Sequence, residues 1–220
     1  MRITTGMMGE KTVQAGIQMG GNSLVNYLNG DESDSLAKSL GNSSHSTLKT
    51  LSKGKYEQLK EAAEKLQQQS AKLNEGGSDS IYEKARKNDD PSEVYGEVEK
   101  LVSSYNSMLD KLRTDMTTLG RFYQQSLKEA VNENKGLLSG VGISLDKNGR
   151  MILDKEKLKT TDVGRLESIF GADGILSSKL NAIAEKAADN AQANLKSISS
   201  QYNASGNSVD ALLGSYDAKR

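Results

Sequence analysis

The sequence predicts a mainly α protein, an elongated antiparallel helical bundle or coiled coil with one β-hairpin and flexible termini. Three patterns carry this expectation. Within 93–132 the apolar residues Tyr95, Val98, Val102, Tyr105, Leu109, Leu112, Met116, Leu119 and Tyr123 alternate three and four apart, the a/d stripe of a coiled coil. At 1.5 Å per residue one helix over that stretch would be a rod roughly 60 Å long. A second stripe, Tyr56, Leu59, Ala63, Leu66, Ser70 and Leu73, repeats the spacing and can cover the first. From Gly142 the period switches to two, with Ile143 and Leu145, then Met151 and Leu153.

Composition narrows the function classes. Of 220 residues 35% are hydrophobic and 5% aromatic, with a mean hydropathy of −0.62, which is too polar for one large globular core. The 29 basic and 29 acidic residues are interspersed, so no field is built to attract nucleic acid or an anionic membrane, and neither partner is expected. There is no Cys, which removes disulfides, thiolate nucleophiles and Cys-based zinc sites. No apolar run reaches the ~18 residues of a membrane span, and no cleavable signal peptide is expected at the N-terminus.

Taken in order, 1–52 is rich in Gly, Ser, Asn and Thr and reads as a flexible assembly or export segment. A short helix near 23–28 and segments around Leu36, Leu40, Leu48 and Leu51 would order only against a partner. Gly54 precedes the first expected helix, 56–74, and Gly76-Gly77 stops it. A brief helix follows at 80–87. Asp90 can cap the long helix with Pro91, the only proline, in its first position and Glu93 three residues past the cap. Gly136 and Gly140 mark its end.

A hairpin is expected at 142–154, turned at Asn148-Gly149 because both residues tolerate positive φ. Asp154 then caps 155–159, and Thr161 or Asp162 caps a helix running to Phe170, with Gly171 and Gly174 around a turn. The last helix, 176–202, carries a thin, Ala-rich stripe of Leu180, Ile183, Ala187, Ala191, Leu195, Ile198 and Tyr202. The domains so defined are the segment 1–52, a helical stalk over 53–204 and a flexible tail at 205–220.

Little in the sequence points to chemistry. His45, the single histidine, reads as a solvated loop residue in Asn42-Ser43-Ser44-His45-Ser46, with nothing nearby for a triad or a zinc site. Asp146-Lys147-Asn148-Gly149-Arg150 has Arg150 where a calcium loop needs a ligand, and Gly149 comes too early. Gly6-Met7-Met8-Gly9-Glu10-Lys11 lacks the spacing and the preceding strand of a phosphate loop. The Asp89-Asp90 pair is accounted for by helix capping. No catalytic residue, cofactor or metal is expected.

One set of residues carries a family resemblance. Val102-Ser103-Ser104-Tyr105-Asn106 on a helix, then Gly142-Ile143-Ser144-Leu145-Asp146-Lys147-Asn148-Gly149-Arg150-Met151-Ile152-Leu153-Asp154, then Leu158 and Ile169-Phe170-Gly171, resembles the C-terminal region of the flagellar filament-capping (hook-associated protein 2) family. Order and spacing agree over 94–204. Residues 56–73 resemble that family's first packing helix, and Met1-Arg2-Ile3 with Met7-Met8 is similar to the start of flagellin-type axial proteins. The family's large β-rich excursion is missing, since only 76–92 occupies its place, and its long C-terminal heptad helix is cut to a short tail.

The resemblance implies an exported, extracellular component of the bacterial flagellum, homo-oligomeric on assembly, that contacts flagellin or hook-associated subunits, with an export chaperone as a further partner. Seam packing falls to Tyr56, Leu59, Leu66, Leu73, Tyr95, Val98, Val102, Tyr105, Leu109, Leu112, Met116 and Leu119. Partner contact falls to Ile3, Met7, Met8, Val25, Tyr27 and Leu28 at one end and Leu212, Leu213 and Tyr216 at the other. The alternative is a cytoplasmic helical chaperone or adaptor for flagellar export that uses the same stripes to hold a partner helix. The polar first fifty residues suit an exported axial protein better than a chaperone.

Overall fold

The computed structural model describes residues 33–115 and 117–200, with side chains from Thr50 to Ser199 apart from position 116. The chain divides into two units, Met1–Ser52 and Lys53–Arg220. The described residues form eight helices and one two-stranded antiparallel hairpin. In order they are α1 (Ser33–Asn74), α2 (Ile81–Asn88), α3 (Ser92–Thr114), α4 (Thr118–Glu133), α5 (Lys135–Gly140), β1 (Ile143–Leu145), β2 (Met151–Leu153), α6 (Lys155–Lys159), α7 (Val163–Phe170) and α8 (Ile175–Ser200).

The first departure from the sequence reading concerns α1, which starts at Ser33 and runs through Gly54 without a break. Its interior holds no proline, and an isolated glycine costs a helix only about 1 kcal/mol relative to alanine. Lys53–Glu57, Lys60–Glu64 and Glu61–Lys65 pairs one turn apart support the stretch after Ser52. His45 therefore sits on a helix and not in a loop.

The second departure is larger: the 93–132 stripe is two helices instead of one rod. The α3 helix stops at Thr114, Asp115 is extended, and Thr117 caps α4 by accepting from the Gly120 N–H at 3.0 Å. Asp115 Oδ1 accepts from the Thr117 N–H, and Thr114 Oγ1 donates to the Lys111 carbonyl. Short polar side chains at 114, 115 and 117 thus offer the backbone local partners that compete with the helical ladder. Gly120 completes the corner, because a Cβ there would lie 2.3 Å from Asp115 Oδ2.

Cross-links fix how the helices run. Lys72 meets Glu97 at 2.8 Å and Lys111 meets Gln58 at 2.8 Å, so going back along α1 means going forward along α3. Tyr105 and Lys128, at similar distances either side of the corner, both reach Gly149, so α4 folds back antiparallel on α3. Tyr123 donates to the Lys186 carbonyl at 3.2 Å and Lys179 pairs with Glu133, which sets α8 antiparallel to α4. From Lys53 onward α1, α3, α4 and α8 therefore run up, down, up, down. The apolar stripe covers itself by folding in half, with Leu127, Ala130 and Val131 of α4 buried in the core it shares with Leu101, Met108 and Leu109 of α3.

The smaller elements occupy the connections between the long helices. Ser80 caps α2, and Tyr82, fully buried, donates to the Leu73 carbonyl at the end of α1. Pro91 stands just before α3, and Asp90 accepts from the Ser92 N–H at 3.0 Å, so the cap falls one residue later than the sequence suggests. The α4 helix ends at Glu133, and α5 takes in Gly136 before stopping at Gly140. In the hairpin Leu145 pairs with Met151 and Ile143 with Leu153, while Ser144 and Ile152 face outward. Asp154 caps α6 and Asp162, of the two candidates, caps α7.

The hairpin turn is also corrected. Only Gly149 has positive φ, at 84°, and its N–H donates to the Asp146 carbonyl at 3.0 Å. The connection is thus a turn over 146–149 closed by a left-handed glycine, and Asn148 does not share that conformation. The Asp146 carboxylate takes up the slack by accepting from the N–H groups of Asn148 (2.7 Å) and Arg150 (2.9 Å).

Candidate functional site

Among the described residues, a dense set of side-chain bonds joins the middle of α3 to the hairpin. Asn106 lays its carboxamide along Met151: Nδ2 donates to the Met151 carbonyl at 2.8 Å and Oδ1 accepts from the Met151 N–H at 2.9 Å. One side chain thereby satisfies a strand residue's donor and acceptor as a neighbouring strand would. One residue earlier, Tyr105 is fully buried and donates to the Gly149 carbonyl at 2.9 Å. One turn later, Asp110 pairs with Arg150. Three residues of one helix therefore hold three consecutive residues of the hairpin.

Electrostatics at this junction follow from burial and bonding. Burial, with a contribution from Asp146, pushes the Tyr105 phenol well above the ordinary tyrosine range, which keeps the donating proton in place. The Asp146 carboxyl is held below the usual range, first by the Arg150 N–H.

A second cluster ties α1 to α3. Glu97 is only 4% exposed, yet it carries a charge. Burial works against that charge, but hydrogen bonds from Lys72 (2.8 Å) and Lys100 (2.9 Å) outweigh it and leave the carboxyl below its usual range. Lys72 is raised in turn, by Glu97 first and then Glu93. Neither Asn106's pairing nor Glu97's burial was legible in the apolar periodicity, because both are polar residues on a face defined by its apolar members.

The residues singled out from the sequence fall into three groups. Leu59, Leu66, Leu73, Val98, Val102, Tyr105, Leu109 and Leu112 lie in the buried core, with Tyr56 and Tyr95 half-buried against it. Tyr95 also donates to the Thr161 carbonyl at 3.0 Å. Leu119 departs from the seam: it is 39% exposed at the start of α4, because the corner turns its position outward, and Phe122 beside it is more exposed still. Met116, Ile3, Met7, Met8, Val25, Tyr27, Leu28, Leu212, Leu213 and Tyr216 lie outside the described residues. The core face of α3 is also wider than the heptad stripe, since Val94, Leu101 and Met108 are fully buried too.

A cleft of about 320 Å³ lies between α4 and the hairpin turn, lined among others by Gln125, Lys128, Glu129, Lys135 and Lys147. Its charges are mixed. No family model, no curated protein and no solved structure matches the chain. Among the described residues no group of three or more His, Cys, Asp or Glu is placed to hold a metal ion, and no helix is long and apolar enough to cross a membrane. The arrangement fixes a hairpin on a helical bundle and leaves Ile152, Ile175, Phe122 and Leu137 on the outside.

Proposed function

We propose that the chain is a non-enzymatic structural component of the bacterial flagellum, exported and resembling a minimal filament cap. In this reading it contacts flagellin or hook-associated subunits through its helical faces and terminal segments, and self-associates on assembly. The observation that supports it is the junction between α3 and the hairpin. The residues that carry the resemblance, Tyr105-Asn106 on the helix and Gly149 with Met151 in the hairpin, are bonded to one another at 2.8–2.9 Å. A motif spread over some forty-five residues of chain is thus one physical unit, which supports reading it as a single structural feature.

The test is to fractionate cells that produce the chain and ask whether it appears in sheared flagella or culture medium, and to sediment the purified protein alone and with flagellin. The reading expects export and co-sedimentation. A strictly monomeric chain that stays in the cytoplasm, ignores flagellin and binds an unfolded export substrate would instead assign it as an export chaperone or adaptor.

A further inference from the structure

The hairpin turn contains a chemically labile step, and the fold itself dictates half of it. Gly149 adopts φ 84°, a conformation that side chains rarely take, and a Cβ there would come within 3.0 Å of Lys128. Glycine is therefore required after Asn148. Asparagine followed by glycine is the pairing most open to cyclisation, because no side chain shields the attacking nitrogen. The Gly149 amide nitrogen, having lost its proton to hydroxide, attacks Asn148 Cγ. The new N–Cγ bond closes a five-membered imide, the Cγ–Nδ2 bond breaks, and ammonia leaves after taking a proton from water. Water then opens the ring at either carbonyl to give aspartate or isoaspartate; the net change is one water consumed and one ammonia released.

In the folded hairpin the attacking nitrogen and the backbone on either side of it are held elsewhere. The Gly149 N–H donates to the Asp146 carbonyl at 3.0 Å, and the Gly149 carbonyl accepts from Tyr105 at 2.9 Å. The Asn148 N–H is held by Asp146 Oδ1 at 2.7 Å, and the same oxygen holds the Arg150 N–H at 2.9 Å. Turning the 148–149 peptide so that its nitrogen faces Asn148 Cγ breaks the Gly149 bond to Asp146, and the bonds on the two flanking peptides resist the turn. Asn106, clasping Met151, keeps the strand from lifting to allow it.

We propose that Asn148 is a deamidation site which the α3–hairpin junction keeps closed and which opens when the hairpin leaves α3. Conversion has a structural consequence. Isoaspartate adds one methylene to the main chain just before Gly149, so the Tyr105 and Asn106 bonds to Gly149 and Met151 can no longer all be made. It also places a new carboxylate in the cleft beside Lys128, Lys135 and Lys147. A chain that has spent time unfolded would thus be marked irreversibly at the junction.

The test follows the amide-to-acid mass change at Asn148 by peptide mapping of the full chain at mildly alkaline pH, native and in urea. Asn29-Gly30, the same dipeptide in the same digest, reports on the chemistry. Conversion at Asn148 should be about tenfold or more slower in the native protein than in urea, the protection expected of a closed structure. Asn106→Ala, with its helical circular dichroism retained, should convert at a rate between the two. If that variant does not fold, Tyr105→Phe, which removes only the bond to Gly149, takes its place. Equal rates native and in urea overturn the proposal, as does a folded junction variant no faster than the wild type. So does an Asn148 that stays intact in urea while Asn29 converts.

Discussion

At the scale of single residues, a few polar side chains on apolar faces fix how the elements meet. Asn106 is half-buried and makes two hydrogen bonds to one backbone residue, so Asn106→Ala leaves a donor and an acceptor of Met151 without partners. That should cost roughly 2 kcal/mol in urea unfolding, and amide exchange at Met151 should speed up before exchange elsewhere in the core. Glu97 gives an asymmetric pair of outcomes. Lys72→Met leaves a buried carboxylate with Lys100 alone and should destabilise by about 1–2 kcal/mol. Glu97→Leu removes the charge that is costly to bury and leaves two lysines that can turn to water, so it should change stability by under about 1 kcal/mol. Thermal melts of the two variants check this, and a larger loss for Glu97→Leu would show the ion pair itself to be stabilising.

At the scale of elements, periodicity located the apolar faces and local chemistry decided where the chain turned. The stripe from Tyr95 to Tyr123 keeps its heptad phase across Thr114–Thr117, so nothing in the apolar pattern reports the corner. The signal was present in a different alphabet: Thr114, Asp115 and Thr117 bond backbone groups of their own neighbourhood, and Gly120 makes room for Asp115. The hairpin was legible because its period-two pattern and its glycine act locally, whereas the clasp of Asn106 on Met151 joins residues far apart in sequence and leaves no pattern in it. The same holds for Glu97. The corner makes a prediction: Gly120→Ala places a Cβ against Asp115, whose own Cβ would be 2.8 Å away, so it should destabilise by about 1 kcal/mol despite alanine's better helix propensity. Adding Asp115→Ala should return part of that loss, a coupling that melts of the two single variants and the double variant measure. A stabilising Gly120→Ala would mean that Asp115 moves aside freely.

At the scale of the whole molecule, two fully buried tyrosines, one against the end of α1 and one in the middle of α3, link the fold to pH. Tyr82 donates to the last turn of α1 and Tyr105 to the hairpin, and burial, aided by Glu167 and Asp146 respectively, pushes both phenols well above the ordinary range. In the unfolded chain each titrates near its ordinary value of about 10. Below that value both states hold the protons and stability is independent of them. Above it the unfolded chain releases protons that the folded chain keeps, so the unfolded state is favoured and stability falls with rising pH. Each tyrosine should contribute a slope of about 1.4 kcal/mol per pH unit until its folded form also ionises. Lys72, raised by Glu97 and Glu93, acts with the same sign. Tyr105→Phe isolates one contribution: it loses the bond to Gly149 and is less stable at neutral pH, but its stability should fall less steeply above pH ~10 than that of the wild type. Urea unfolding at a series of alkaline pH values reads both slopes. Parallel curves for the two proteins would show that Tyr105 ionises as readily folded as unfolded, and that the α3–hairpin junction does not hold its proton.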